Sequence, residues 1–429
     1  MPRRTLAEWL EFQQRVHPRA MDFTLERIRT VLERLALAQP RPPVITVGGT
    51  NGKGSVTAML EAVLLAAGRR VGLYTSPHLL RYQERIRIDG REIEAERLVG
   101  LFERIEAARG DVTLTYFEYG TAAALAAFAE QPLDVLVLEV GLGGRLDAVN
   151  AIDPSVAAVV SISLDHCEYL GPSVEDIGRE KAGIFRSGRP ALYGSLAMPD
   201  SIAAEAQRIG ARLERLGSDF GYERDGRAFA FRRGAQRITG LPAPGLSGSA
   251  QLGNAATALA ALDAVGLLPG REAIAAGLAG VRLAGRYQRF AGPVEWVFDV
   301  AHNEGSAAVL ADTMREERGG RGRTLVVAGV LADKDAVAIA QELKRALGAR
   351  DLVCTVSLYG ERGRSATDLA ALWEPILSRT LATAASVEDG CAFAAHTAQP
   401  GDRVVVFGSF HTVAPALAWH RLYSGALGR

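Results

Sequence analysis

Short runs of consecutive apolar residues, rich in Val and Ile, recur at 44–48, 70–74, 134–140, 156–162, 294–300, 323–330, 351–357 and 402–408. Between them lie Ala/Leu-rich stretches of helical length, among them 54–67, 116–130, 253–266, 305–316 and 411–422. Strands that are apolar throughout, rather than alternating, are those buried on both faces, as in a parallel sheet covered by helices. The rhythm therefore predicts an α/β fold. Residues 211–250 break it with charges, many Arg and Gly, and the segment "LPAPGLSGSA", which predicts a small antiparallel subdomain and an exposed loop. The β/α rhythm restarts after "LAGRYQRFAGP" (283–293), which predicts two domains, 1–287 and 288–429, the second Rossmann-like. Two domains also suit 429 residues, since single cores stop growing at roughly 250–300.

Composition narrows the partners. Lys plus Arg and Asp plus Glu both number 49, so the formal net charge is zero. Nucleic-acid and membrane-surface binding usually show as a basic excess, and neither is expected here. Cys167, Cys354 and Cys391 form no CxxC pair, which fits neither a disulfide framework nor a zinc site and suits a reducing cytoplasm. The opening "MPRRTLAEWLEF" lacks an apolar h-region. The most apolar window, 121–144, is interrupted by Glu130, Gln131, Pro132, Asp134 and Glu139, so no membrane span is expected. The expectation is a cytoplasmic monomer acting on small molecules.

The stretch "VITVGGTNGKGSVTAML" (44–60) carries the first chemistry. It reads as a buried strand, a loop of four glycines and a helix start. Gly48, Gly49, Gly52 and Gly54 allow backbone N–H groups to approach phosphate oxygens, Lys53 can reach outer phosphates, and Ser55 can face magnesium or a phosphate. The spacing departs from G-x-x-x-x-G-K-[ST], because Gly54 separates Lys53 from Ser55. A ligand-free glycine turn is the alternative. Against it, a lysine at a helix N-terminus opposes the helix dipole unless an anion compensates. Residues 49–55 (Gly49, Thr50, Asn51, Gly52, Lys53, Gly54, Ser55) are the candidate ATP loop, making 1–287 a P-loop ATPase domain.

"GTNGKGS" followed by "VGLYTSPHLLRYQERIRIDG" resembles the folylpolyglutamate synthase and dihydrofolate synthase family, within the Mur ligase superfamily of ATP-dependent amide-bond formers. The similarity continues in order through "LEVGLGGRLDAVN", "SLDHCEYLG", "IGREKAGIF", "GNAATALAAL", "GRYQ", "FDVAHN", "DKD" and "FGSFHTV". The resemblance implies two magnesium ions. Glu139 ends an otherwise apolar strand, where a buried carboxylate is costly without a cation; an Arg partner is the alternative, and the resemblance makes it a magnesium ligand. Thr75, or its neighbour Ser76, is a further ligand by the same resemblance, and His166 serves a second magnesium. It also implies that Lys181 is carbamylated. That reaction needs a neutral amine, which burial near cations can supply.

The implied reaction converts the acceptor's carboxylate into an acyl phosphate with ATP, after which L-glutamate's amine displaces phosphate. ATP contacts by resemblance are Asn254, Arg286 and Asp299; a helix N-cap for Asn254 and a surface linker charge for Arg286 stand as alternatives. His302 and Ser409 are placed near the incoming glutamate, or as loop-orienting residues. The pterin pocket is implied at Met21 and Asp22, at Thr115, Tyr116, Phe117 and Glu118, and at Leu146, Asp147 and Ala148. Tyr116 and Phe117 suit stacking on a flat heterocycle, with core packing as the ordinary alternative. Both dihydropteroate and tetrahydrofolate are expected acceptors, although Tyr119 and Gly120 after "FE" leave selectivity open between this and polyglutamate extension alone. A cell-wall Mur ligase is disfavoured, since only a helix or two precede the loop. An ATP-binding switch without chemistry is disfavoured by the presence of Glu139, His166, Lys181 and Asp299.

Overall fold

Eight strands make the first sheet of the computed structural model, which describes residues 4–19, 22–226, 228–319 and 322–427. They are β1 (Val44–Gly48), β2 (Val71–Tyr74), β3 (Ile86–Ile88), β4 (Arg91–Glu92), β5 (Val135–Glu139), β6 (Val156–Val159), β7 (Pro190–Tyr193) and β8 (Arg212–Arg215). Their order is β4-β3-β2-β5-β1-β6-β7-β8, parallel from β2 to β8, with β3 and β4 as an antiparallel edge. Every residue of β1, β2, β5, β6 and β7 is buried, as continuous apolar runs require. Helices Lys53–Ala66 and Tyr116–Ala129 are buried almost all round, which is why their Ala/Leu composition shows little polar face.

Three antiparallel strands, β9 (Phe220–Asp225), β10 (Ala228–Arg233) and β11 (Gln236–Pro242), form the small subdomain expected from residues 211–250. Arg212–Arg215 differs from that expectation. It pairs in parallel with β7 at the edge of the large sheet, where a half-exposed strand carries no apolar run to signal it.

The second sheet comprises β12 (Gln288–Phe290), β13 (Glu295–Asp299), β14 (Thr324–Ala328), β15 (Leu352–Val356), β16 (Ala382–Ala384) and β17 (Arg403–Phe407), in the order β12-β13-β17-β14-β15-β16. Only its edge strand β12 is antiparallel. The chain divides into two compact units, Met1–Gly245 with Leu252–Val281, and Leu246–Gln251 with Arg282–Arg429. Helices Leu6–Val16 and Glu26–Arg34 precede β1. Among the described residues no helix is long and apolar enough to cross a membrane.

Candidate active site

The loop after β1 is held from one side by the loop after β6. Thr50 N–H donates to Ser161 O at 2.7 Å, Asn51 N–H to Ser161 Oγ at 3.1 Å, and Ser163 N–H to Thr50 Oγ1 at 3.1 Å. Thr50 and Asn51, expected as ATP contacts, thus brace the loop with these groups. The start of helix Lys53–Ala66 brings first-turn N–H groups to this loop, the usual donors to a phosphate at a helix N-terminus. Gly52 caps that helix at φ 87°, and a Cβ there would lie 2.8 Å from Val160 Cγ1 and 3.0 Å from Asn254 Oδ1. The loop and Asn254 are therefore neighbours. Asn254 is no N-cap, because its helix begins earlier, Gln251–Ala264. Ser55 is buried.

Two lysines meet under this loop. Lys53 Nζ donates to Gly49 O at 2.9 Å and to Thr50 O at 3.2 Å, and Lys181 Nζ donates to Gly49 O at 3.1 Å. Lys181 is buried in the last turn of helix Val174–Ala182. Burial, with the Lys53 charge beside it, lowers its pKa to about 7, against the pull of Asp165 and Asp147. Much of it is therefore neutral near physiological pH, as attack on carbon dioxide requires.

Glu139 is buried at the carboxyl end of β5, paired with Val47 of β1, and its Oε2 accepts the N–H of Ser76 at 3.3 Å. Thr75 follows β2, the strand on the other side of β5, and its N–H donates to Arg85 O at 2.9 Å. The carboxyl ends of adjacent parallel strands are where such sheets hold ligands. A hard carboxylate and hydroxyl set fits magnesium, which keeps most of its waters and binds through few protein oxygens plus phosphates. His166 stands in the left-handed region at φ 52°, with Nε2 3.9 Å from Asp165 Oδ1. Magnesium takes oxygen rather than amine ligands, so Lys181 would contribute to a second magnesium only as its carbamate. Among the described residues no group of three or more His, Cys, Asp or Glu is poised to hold a metal by itself.

The pterin candidates split into two environments. Arg27 Nη1 lies 3.2 Å from Asp22 Oδ2, and Arg27 Nη2 lies 3.3 Å from Glu118 Oε1, so one guanidinium ties two of them together. Thr115 and Glu118 also form the reciprocal cap of helix Tyr116–Ala129. Tyr116 meets Tyr82 edge to face at 5.5 Å, and Phe117 tilts against Tyr74 at 5.9 Å, so both pack into the aromatic core. Leu146 packs on the same core, and Ala148 is within it. Asp147, a pterin candidate, also has a structural duty in its own loop. Its oxygens accept the N–H groups of Gly141, Leu142 and Val149 at 3.0, 2.9 and 2.9 Å, pinning its own loop, while burial pushes its pKa up to about 6. Met21 lies outside the described residues.

In the second unit Asp299 ends β13 and accepts N–H groups from Tyr287 at 2.7 Å and Ala301 at 2.8 Å; burial raises its pKa against the Arg286 charge. Arg286 stacks over Phe410 at 5.2 Å. His302 Nδ1 lies 2.8 Å from Val300 O, an acceptor only, so Nδ1 carries a proton and a neutral ring presents its lone pair on Nε2. Ser409 precedes helix Phe410–Leu427, accepts Thr412 N–H at 3.1 Å and is buried. Arg85, unremarked in the sequence, adds a buried guanidinium beside Tyr82 and Tyr116.

Residues 47–262 match the Mur ligase middle domain, and 285–410 match the Mur ligase, glutamate ligase domain. Fold and site thus define a Mur-type ligase. Dihydrofolate synthase/folylpolyglutamate synthase of Escherichia coli (strain K12) is 45% identical over 409 residues, covering 95% of this chain and 94% of that one. The structure of E. coli FolC in complex with DHPP and ADP superimposes with a TM-score of 0.92 at 42% identity, covering 98% of this chain and 99% of the other. The Yersinia pestis bifunctional folylpolyglutamate synthase/dihydrofolate synthase, complexed with AMPPNP and Mn ion, gives a TM-score of 0.90 at 42% identity over 97% and 98% of the two chains. The chain belongs to the dihydrofolate synthase/folylpolyglutamate synthase family.

Proposed function

We propose that the chain is an ATP-dependent ligase that joins L-glutamate to dihydropteroate, giving dihydrofolate, and to tetrahydrofolate to build polyglutamates, as a cytoplasmic monomer. The observation that carries this is the 45% identity to a bifunctional relative over nearly the whole length of both chains. The acceptor's carboxylate oxygen attacks the γ-phosphorus of ATP, the bond to the bridging oxygen breaks, and ADP leaves. Glutamate's amine then attacks the acyl carbon, loses a proton and expels phosphate.

Magnesium, held by Glu139 and Thr75 and by His166 with the Lys181 carbamate, would neutralise the transferring phosphoryl group's charge. Lys53 and the first-turn N–H groups bind and orient the phosphates. Asn254, Arg286 and Asp299 bind the rest of ATP. Nε2 of His302 takes the proton from the glutamate ammonium, and Ser409 orients that substrate. Asp22 and Glu118, with Thr115, Tyr116, Phe117, Leu146, Asp147 and Ala148 around them, bind the pterin. No enzyme nucleophile is needed, so rate comes from positioning and electrostatics.

Purified full-length chain should release ADP with dihydropteroate only when L-glutamate is present, and should form dihydrofolate in equal amount. Activity with tetrahydrofolate alone would restrict it to polyglutamate extension. ATP binding with no ADP release would leave only a nucleotide switch.

A further inference from the structure

Arg85 is buried to 8% of its full exposure in the turn between the Ser76–Pro77 loop and β3. A guanidinium in such a place ordinarily has a carboxylate partner, because its charge cannot be neutralised by losing a proton. Among the described residues Arg85 forms no ion pair. The neighbouring carboxylate, Glu84, is committed to the N–H groups of Leu79, Leu80 and Arg81. What Arg85 touches is neutral. Its Nε donates to His78 Nδ1 at 2.9 Å, and its guanidinium carbon lies over the rings of Tyr82 at 5.1 Å and Tyr116 at 5.4 Å. The hydroxyl of Tyr82, also buried, has no hydrogen-bond partner. Gly120 makes room for it: a Cβ there would be 2.7 Å from Tyr82 Oη and 2.8 Å from Tyr74 Oη.

The location limits what could supply the missing anion. Arg85 O accepts the N–H of Thr75, the candidate magnesium ligand, at 2.9 Å, while its side chain reaches Tyr116 on the pterin wall. A molecule lying from that wall towards the nucleotide loop would carry its charge past this guanidinium. We propose that Arg85 binds the carboxylate of the pteroate-class acceptor and holds it for attack on ATP. This inference rests on the ligase function proposed above and adds the residue that selects an acidic acceptor.

Binding read without turnover separates the two claims. Dihydropteroate and its carboxamide analogue are titrated into the ADP-bound full-length chain, wild type and Arg85→Gln, with ADP affinity as the check on folding. Wild type should prefer the acid by about ten-fold or more, as one charge-assisted pair provides. Arg85→Gln should lose that preference by weakening the acid alone. Equal weakening of both ligands, or an undiminished preference, overturns the proposal. If Arg85→Gln no longer binds ADP, Arg85→Lys takes its place: its retained charge should keep a preference for the acid, and equal weakening of both ligands again overturns the proposal. Failure of glutamate-dependent ADP release in wild type would sink the ligase function instead, whatever the binding preference.

Discussion

Lys53 and Lys181 donate to the same carbonyl oxygen, that of Gly49, at 2.9 and 3.1 Å. Burial first, and then repulsion from the Lys53 ammonium beside it, lowers the pKa of Lys181 to about 7. Its amine is thus available to carbon dioxide just where the carbamate would face the phosphate loop. Activity should therefore depend on bicarbonate and rise as pH passes upward through about 7. Protein stripped in CO₂-free buffer should regain turnover when bicarbonate is added, with one CO₂ gained by intact mass. Lys181→Ala should be inactive and partly rescued by a short carboxylate such as acetate. Unmodified protein carries a sign as well. The unfolded amine stays protonated up to its ordinary 10.5, so this group adds stability as pH rises from about 7 towards that value. A pH-independent, bicarbonate-indifferent rate would remove the carbamate from the mechanism.

Gly52 is where backbone and neighbours leave no choice. At φ 87°, with Val160 Cγ1 2.8 Å from any added Cβ, Gly52→Ala must distort the loop or open the helix start. The left-handed backbone alone costs a non-glycine residue about 1–2 kcal/mol. The variant should melt lower and lose affinity for ADP, because Asn254 and the first-turn N–H groups shift together. Calorimetry with ADP checks this, and unchanged ADP affinity would mean the nucleotide sits elsewhere.

Arg27 is shared by Asp22 and Glu118, although 96 residues separate the two acids. Burial raises the Glu118 pKa while the Arg27 charge lowers it. Arg27→Met should therefore push Glu118 further up and cost about 2 kcal/mol, the worth of hydrogen bonds to charged groups. KM for dihydropteroate should rise while KM for ATP stays level. A rise in both would place Arg27 in the scaffold rather than the pterin wall.

Much of this architecture was legible because its strands are buried on both faces. β5 and β17 carry the continuous apolar stretches 135–138 and 404–407, and Glu139 and Asp299 stood out as carboxylates at the ends of apolar stretches. Edge strands were not legible: β4 and β8 are polar and partly exposed, so no periodicity marks them. The meeting of Lys53 with Lys181 needed the fold, since 128 residues separate them. So did the bracing role of Thr50 and Asn51, because a motif gives proximity to phosphate but not which groups already have partners. Arg85 was missed for a related reason. An arginine among charged residues in "RYQERIRID" looks solvated, and only burial without an acid makes it unusual.

Ser409 tests whether a residue can serve both the scaffold and the substrate. Thr412 Oγ1 donates to Gly329 O at 2.6 Å, so the 2.9 Å contact between the two hydroxyls is donated by Ser409. Ser409 Oγ also accepts Thr412 N–H at 3.1 Å, which leaves it one lone pair. That lone pair can only accept, and the ammonium of glutamate is the donor suited to it. Ser409→Ala should cost about 1 kcal/mol as a lost helix cap. It should also raise KM for glutamate by about ten-fold, the worth of one charge-assisted bond, with KM for ATP unmoved. Thr412→Val supplies the contrast, since it breaks the same hydroxyl chain but keeps the Ser409 oxygen and the backbone cap. It should lower the melting temperature and leave the glutamate KM within about two-fold, because the accepting lone pair survives. If the two variants raise that KM alike, Ser409 acts only through the helix it caps.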